Sequence, residues 1–164
     1  MGLLLVDLQT RLAPAIAESP AVIDQAAKLL QVARAVDLPI LATEQYSKGL
    51  GATVGALRRF LDPAEIIEKT AFGAPREEAF RRALAARGIG EVVVAGMEAH
   101  VCVQQTVLCL LEQGVAVSLV TDAVASRDPF NKEVAINRMA AAGAGMVTAD
   151  AAIARFQTSR CANG

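Results

Sequence analysis

The sequence predicts an α/β fold, a doubly wound parallel sheet of six strands with helices on both faces. Two observations carry this expectation. From Leu3 to Phe156, apolar runs of strand length alternate with segments whose apolar residues recur at helical spacing. Strands that alternate with helices imply right-handed crossovers and therefore parallel pairing. In addition, 54% of the 164 residues are hydrophobic and only 4% aromatic. A core made mostly of Ala, Val, Leu and Ile suits strands buried on both faces beneath helices of small residues.

Taken in order, Leu3-Leu-Leu-Val6 is the first strand, followed at once by the polar residues Asp7 and Gln9. Residues Pro20 to Val36 place Val22, Ala26, Leu29, Leu30, Ala33 and Val36 at helical spacing, with Ser19 as the expected cap. Leu38 to Thr43 is the second strand and Glu65 to Glu68 a short third. A helix from Arg76 to Arg87, stopped by Gly88, leads to the fourth strand, Glu91 to Ala95. Val101 to Glu112 follows as a helix closed by Gly114, then a strand from Val115 to Val120. Asn131 to Ala142 is a helix closed by Gly143, Gly145 to Thr148 the last strand, and Ala151 to Phe156 a final helical segment. One domain over residues 1–164 is expected, with 157–164, including Cys161, as a frayed tail.

The segment Glu44 to Pro63, with Gly49, Gly51 and Gly55, has the length of a functional loop and reads as a mobile flap. Its Gly49-Leu-Gly-Ala-Thr-Val54 imitates the opening of a dinucleotide fingerprint. Val54 stands where the third glycine belongs, and the immediate helix and the ribose-binding acid are missing from the pattern.

Charge and cysteine usage remove several function classes. The net charge is -1, and the scattered basic residues supply no electrostatic footprint for nucleic acid. The longest apolar stretch, around Val101 to Leu111, contains Gln104 and Gln105 and falls short of the roughly 20 residues of a spanning helix. Three cysteines in a chain large enough to need no staples, without a charged leader, point to a reducing cytoplasm.

Three polar residues follow apolar strands and face one edge of the sheet: Asp7 after the first, Lys69 after the third and Cys102 after the fourth. Open parallel sheets bind ligands at that carboxyl edge. Cys102 opens a helical segment, where unpaired N–H groups and the helix dipole favour a nucleophilic thiolate. A carboxylate takes the thiol proton, and an ammonium stabilises the developing charge. Strands spaced by about 4.8 Å let Asp7 and Cys102 meet directly if their strands are neighbours, while Lys69 needs its long stem to reach them. Cys109 reads as a buried, inert thiol.

The motifs Leu4-Leu-Val-Asp7-Leu-Gln9, Glu68-Lys-Thr-Ala-Phe-Gly73 and Val94-Ala-Gly-Met-Glu-Ala-His-Val-Cys-Val103 resemble those of the isochorismatase-like cysteine hydrolases. The resemblance runs from residue 3 to about 156. It is greatest to small isochorismatase-domain proteins of unassigned substrate, which similarly carry a Thr-Glu-Gln-Tyr segment like Thr43 to Tyr46. It implies a three-layer α-β-α fold with sheet order 3-2-1-4-5-6 and an Asp7, Lys69, Cys102 triad at the switch between the first and fourth strands. Members with this cysteine typically hydrolyse C–N bonds of amides, such as nicotinamide or N-carbamoyl amines, through a thioester. The resemblance also implies a cis peptide between Met97 and Glu98, with the Glu98 and Cys102 amides aimed at the oxyanion.

Departures from the family pattern are informative. Nicotinamidases of the family bind a metal through an Asp-x-His pair and a further His after the second strand; here Glu44-Gln-Tyr46 stands there, so no metal and no cofactor are expected. His100 is the only histidine and reads as a helix-start residue beside the site. Ala99 replaces a frequent Thr. Gln9, Gln45, Tyr46, Phe72 and His100 are the candidate pocket residues for a small planar substrate, and Arg127 with Asp128 reads as a loop ion pair. Family members are commonly oligomeric, which implies a homo-oligomer. Two other readings stay open: a redox or electrophile sensor built on Cys102, and an idle binding module. The first has no close resolving thiol, since Cys109 is two turns or roughly 10 Å further along the helix.

Overall fold

A computed structural model describes residues 1–161. Its six strands are β1 (Gly2–Val6), β2 (Ile40–Gln45), β3 (Ile66–Lys69), β4 (Glu91–Met97), β5 (Ala116–Ala125) and β6 (Gly145–Val147). All pair in parallel, in the order β3-β2-β1-β4-β5-β6. The helices are α1 (Ser19–Ala35), the single turns α2 (Ser47–Leu50) and α3 (Gly55–Arg58), then α4 (Glu78–Ala86), α5 (Gln104–Glu112), α6 (Pro129–Ala141) and α7 (Ala149–Cys161).

Strand alternation splits the core in two. Leu3 and Leu5 of β1 pack with Val22, Leu29 and Ala33 of α1 and with Ala152 and Phe156 of α7. Leu4 and Val6 point the other way, toward Phe80 and Leu84 of α4, Val107 and Leu110 of α5 and Met139 of α6. Period-2 alternation therefore builds both faces of the three-layer structure. Between β1 and β4 the chains approach so closely that a Cβ on Gly96 would lie 2.2 Å from the Val6 carbonyl oxygen, and Gly96 has φ 145°. Only glycine fits there.

Three local expectations change. Ser19 is buried as the first residue of α1, and its hydroxyl donates to the Ala13 carbonyl instead of capping the helix. β5 continues past Val120 to Ala125, because a register shift after Val94 lets Gly96 and Met97 pair with Val124 and Ala125. In this added stretch Thr121 Oγ1 donates to the Val147 carbonyl, and Asp122 accepts from the Ala149 N–H at the start of α7. The predicted tail at 157–161 is helical, as α7 runs to Cys161; residues 162–164 lie outside the described residues.

The segment read as a flap is fastened down. Thr53 bridges Gln9, Thr10 and Arg11 donate to the Ala52 and Leu50 carbonyls, and Val54 donates to Leu8. Glu44 Oε1, buried at the end of β2, accepts from both the backbone and the hydroxyl of Thr53. The glycines there serve turns: Gly51 has φ 78° and packs on Thr10. No helix among the described residues is long and apolar enough to cross a membrane.

Candidate active site

The switch point between β1 and β4 gathers Asp7, Lys69 and Cys102. Asp7 leaves β1 with φ 51°, a conformation that Asp tolerates better than most residues. Its N–H donates to the Thr43 carbonyl (3.1 Å), and Thr43 Oγ1 donates to Asp7 Oδ1 (2.7 Å). Lys69 ends β3 two strands away, and its stem carries Nζ to 2.9 Å from Asp7 Oδ2, with both side chains fully buried. The ammonium also donates to Gln45 Oε1 (2.6 Å), Phe72 O (3.0 Å) and Ala71 O (3.2 Å).

An ammonium has three protons, and those three acceptors use them. The Asp7–Lys69 contact is therefore a charge pair without a well-directed hydrogen bond, and Oδ2 remains a buried acceptor with no hydrogen-bond partner. Asp7 and Cys102 line the same cavity.

Cys102 does not open α5. It lies inside a wide π-helical turn, Ala99–Val103, that precedes Gln104. Burial first, and then the Asp7 charge, push its pKa up to about 12, while Lys69 acts in the opposite direction. The π turn runs without a break into α5, so Cys102 lies in the first turn of the combined helical segment, and burial with the Asp7 charge opposes the thiolate that a helix terminus favours. A thiol that is only 7% exposed loses hydration as an anion, and a neighbouring carboxylate adds repulsion.

Met97–Glu98 is a cis peptide, and the Glu98 carbonyl accepts from the Val101 and Val103 N–H groups of the π turn. The Glu98 carboxylate is buried and receives the Arg127 N–H (2.9 Å) and Arg127 Nε (3.1 and 3.2 Å). The expected Arg127–Asp128 pair is therefore replaced: Arg127 binds Glu98, and Asp128 caps α6 through the Phe130 N–H.

Above the three residues lies a cavity of about 490 Å³, within the ordinary range for small-molecule sites. Asp7 and Cys102 form its reactive part, Leu12, Leu50, Phe72 and Val101 its apolar walls, and Gln45, Glu98 and Arg127 its remaining lining. Of the candidate pocket residues, Gln45 and Phe72 are at the cavity. Gln9, Tyr46 and His100 are not in its lining. Gln9 is fully buried and spends its amide on the loop, donating to Gln45 O and Gly51 O and accepting from Gln45 N. The Tyr46 ring lies over Gly49, and it is 55% exposed. His100 Nδ1 pairs with Ser126 Oγ at 2.8 Å.

Leu12, Leu50, Val101 and Thr43 were missed as site residues. Thr43 alone had a signal, a hydroxyl in an otherwise apolar buried strand. Among the described residues, no three His, Cys, Asp or Glu side chains are grouped to hold a metal ion.

A doubly wound sheet with Asp, Lys and Cys at its switch point defines an isochorismatase-like hydrolase. The chain belongs to the isochorismatase family: the family model "Isochorismatase domain" matches residues 1–151. The mouse (Mus musculus) isochorismatase domain-containing protein 2A is 39% identical over 153 residues, 92% of this chain and 72% of that protein. The structure titled MAR1 ribonuclease from Caenorhabditis elegans superposes with TM-score 0.87 at 38% identity, covering 93% of this chain and 78% of that one. YcaC from Pseudomonas aeruginosa, described with hexane-2,5-diol and covalent acrylamide, gives 0.86 at 30%, covering 93% and 77%. YcaC from Escherichia coli, described as an octameric hydrolase of unknown specificity, gives 0.87 at 28%, covering 93% and 76%.

Proposed function

We propose that this hydrolase cleaves the C–N bond of a small amide through Cys102 and a thioester intermediate, without a metal. The observation that carries the reading is the fully buried Asp7–Lys69 ion pair at 2.9 Å, whose two charges both act on the Cys102 thiol beside it. Because the resting thiol keeps its proton, attack is coupled to its transfer. As Sγ adds to the carbonyl carbon, the thiol proton passes to Asp7, and Lys69 stabilises the negative charge. The backbone N–H groups of Glu98 and Cys102 receive the oxyanion. When the tetrahedral intermediate collapses, the C–N bond breaks and Asp7 returns the proton to the leaving amine. Water then attacks the thioester, Asp7 takes its proton, and the carboxylic acid leaves as the proton returns to sulfur.

The covalent acrylamide in the description of P. aeruginosa YcaC supports a nucleophile in this fold. The ribonuclease title of the C. elegans protein finds no support in this cavity, where Arg127 is paired with Glu98 and nearby Lys69 with Asp7. A thiol sensor requires a thiolate near neutrality, which the raised Cys102 pKa opposes. Homo-oligomerisation is part of the proposal, supported by Phe130 and Val134, exposed one turn apart on α6, and by the octamer described for E. coli YcaC. A cytoplasmic setting, where the thiols stay reduced, completes it.

The test is ammonia release from an amide library, with intact mass spectrometry of the quenched reaction. Expected are turnover by the wild type, an acyl adduct on Cys102, and loss of both in Cys102→Ala with the fold retained. Unchanged turnover in Cys102→Ala removes the proposal.

A further inference from the structure

We infer that Ser126 and Arg127, the two residues that follow β5, are positioning residues for the Cys102 reaction: by holding His100 and Glu98 they fix the turn whose N–H groups receive the oxyanion. The inference deepens the reading above and rests on the oxyanion role given there to the Glu98 and Cys102 N–H groups.

The β4–β5 ladder stops at the pair Met97 and Ala125. Beyond it the contact continues through side chains. Ser126 Oγ, on a residue only 3% exposed, pairs with His100 Nδ1 at 2.8 Å. Arg127 donates to the Glu98 carboxylate from its backbone N–H (2.9 Å to Oε2) and from Nε (3.1 Å to Oε1, 3.2 Å to Oε2). Consecutive residues after β5 thus grip the residues on either side of the buried Ala99. The Glu98 carbonyl in turn accepts from Val101 and Val103, the neighbours of Cys102. Movement of Glu98 therefore displaces its own N–H and the turn that carries the sulfur together.

Packing alone gives no reason for a carboxylate here. The Glu98 side chain is 8% exposed and costly to desolvate, and an apolar residue would close the turn without that cost. What the carboxylate adds is direction, because charge-assisted hydrogen bonds to one residue set its place more narrowly than dispersion does. An oxyanion site needs that narrowness: a misplacement of about 1 Å costs roughly 100-fold in rate. The thiol itself answers to burial, Asp7 and Lys69. The Glu98–Arg127 pair acts on geometry and leaves the acidity of the nucleophile alone.

Butanal probes the geometry without turnover. Cys102 Sγ bonds to its carbonyl carbon, the C=O π pair moves to oxygen, and the thiol proton passes through Asp7 to that oxygen, giving a reversible thiohemiacetal that shields Cys102 from iodoacetamide. Ser126→Ala touches no substrate, since Ser126 is outside the cavity lining, and Arg127→Met keeps the backbone N–H while removing Nε; both are measured below their unfolding midpoints. In each, half-protection of Cys102 should need about 10-fold more butanal, short of the roughly 100- to 1,000-fold that deleting an oxyanion donor costs. Arg127→Lys, which restores a cation for Glu98, should recover most of the loss. The pH midpoint of iodoacetamide alkylation without butanal should stay at its wild-type value in Ser126→Ala. For any amide that releases ammonia, kcat and kcat/KM should fall by the same factor, the mark of an interaction made only in the transition state. Wild-type butanal protection in both variants, a rise in KM alone, or a loss in Ser126→Ala that follows a shifted alkylation midpoint overturns this inference and leaves the amide-hydrolase reading standing. If no amide releases ammonia, that reading falls, and butanal protection still decides this one.

Discussion

Lys69 Nζ lies 2.9 Å from Asp7 Oδ2, yet the ammonium directs its protons to Gln45, Ala71 and Phe72. The pair is held by charge while its hydrogen-bonding capacity is divided. Asp7 keeps an acceptor for a proton from elsewhere, and the Cys102 thiol borders the same cavity.

Asp7 and Lys69 act on the Cys102 thiol in opposite directions, so their variants should separate. Asp7→Asn removes a charge that raises the thiol pKa and leaves one that lowers it. The pH at which iodoacetamide alkylates Cys102 should therefore move down, although amide turnover is lost. Lys69→Met should move it up. In the wild type, a pKa near 12 places thiolate formation above the ordinary thiol range, so alkylation should still be rising at pH 10. A plateau below pH 9 in the wild type, or shifts of one sign in both variants, contradicts the geometry. Lys69→Met also strands a buried carboxylate, with an expected stability loss of about 3–5 kcal/mol in urea unfolding.

Gln9 is a structural tie, and its removal should be felt in both stability and activity. Gln9→Leu leaves Gln45 N and two carbonyls, of Gln45 and Gly51, without their partners. Unpaired buried groups cost about 1–3 kcal/mol each, part of which solvent entry recovers, so a loss of about 2–4 kcal/mol is expected. Since Gln45 orients Lys69 and Leu50 walls the cavity, kcat/KM should fall at temperatures where the variant remains folded. Unfolding curves and rates identical to wild type contradict this role.

Gly96 admits no side chain. In Gly96→Ala the new Cβ meets the Val6 carbonyl at 2.2 Å, at a φ of 145°, in a backbone region essentially reserved for glycine. Separation of β1 from β4 should follow, with a loss above about 3 kcal/mol and failure of Asp7 and Cys102 to meet. Thermal unfolding of purified Gly96→Ala checks this, and a midpoint within a degree or two of wild type contradicts it.

The sequence by itself determined the order of strands and helices, because each element carries its own periodicity and its own stop signals, such as Gly88 and Gly114. It also placed Asp7, Lys69 and Cys102 at one sheet edge, since every strand of a parallel sheet ends its apolar run on the same side. The sheet order came from motif resemblance, not from periodicity. Only the tertiary structure decided what these residues do to one another. Burial and the Asp7 charge raise the Cys102 pKa against the effect of the helix terminus at which it sits. Gln9 became a loop tie through contacts 36 and 42 residues away in the chain, and Arg127 took Glu98 in preference to its neighbour Asp128. Solvation and charge pairing depend on what the fold brings near, and local sequence does not carry that information.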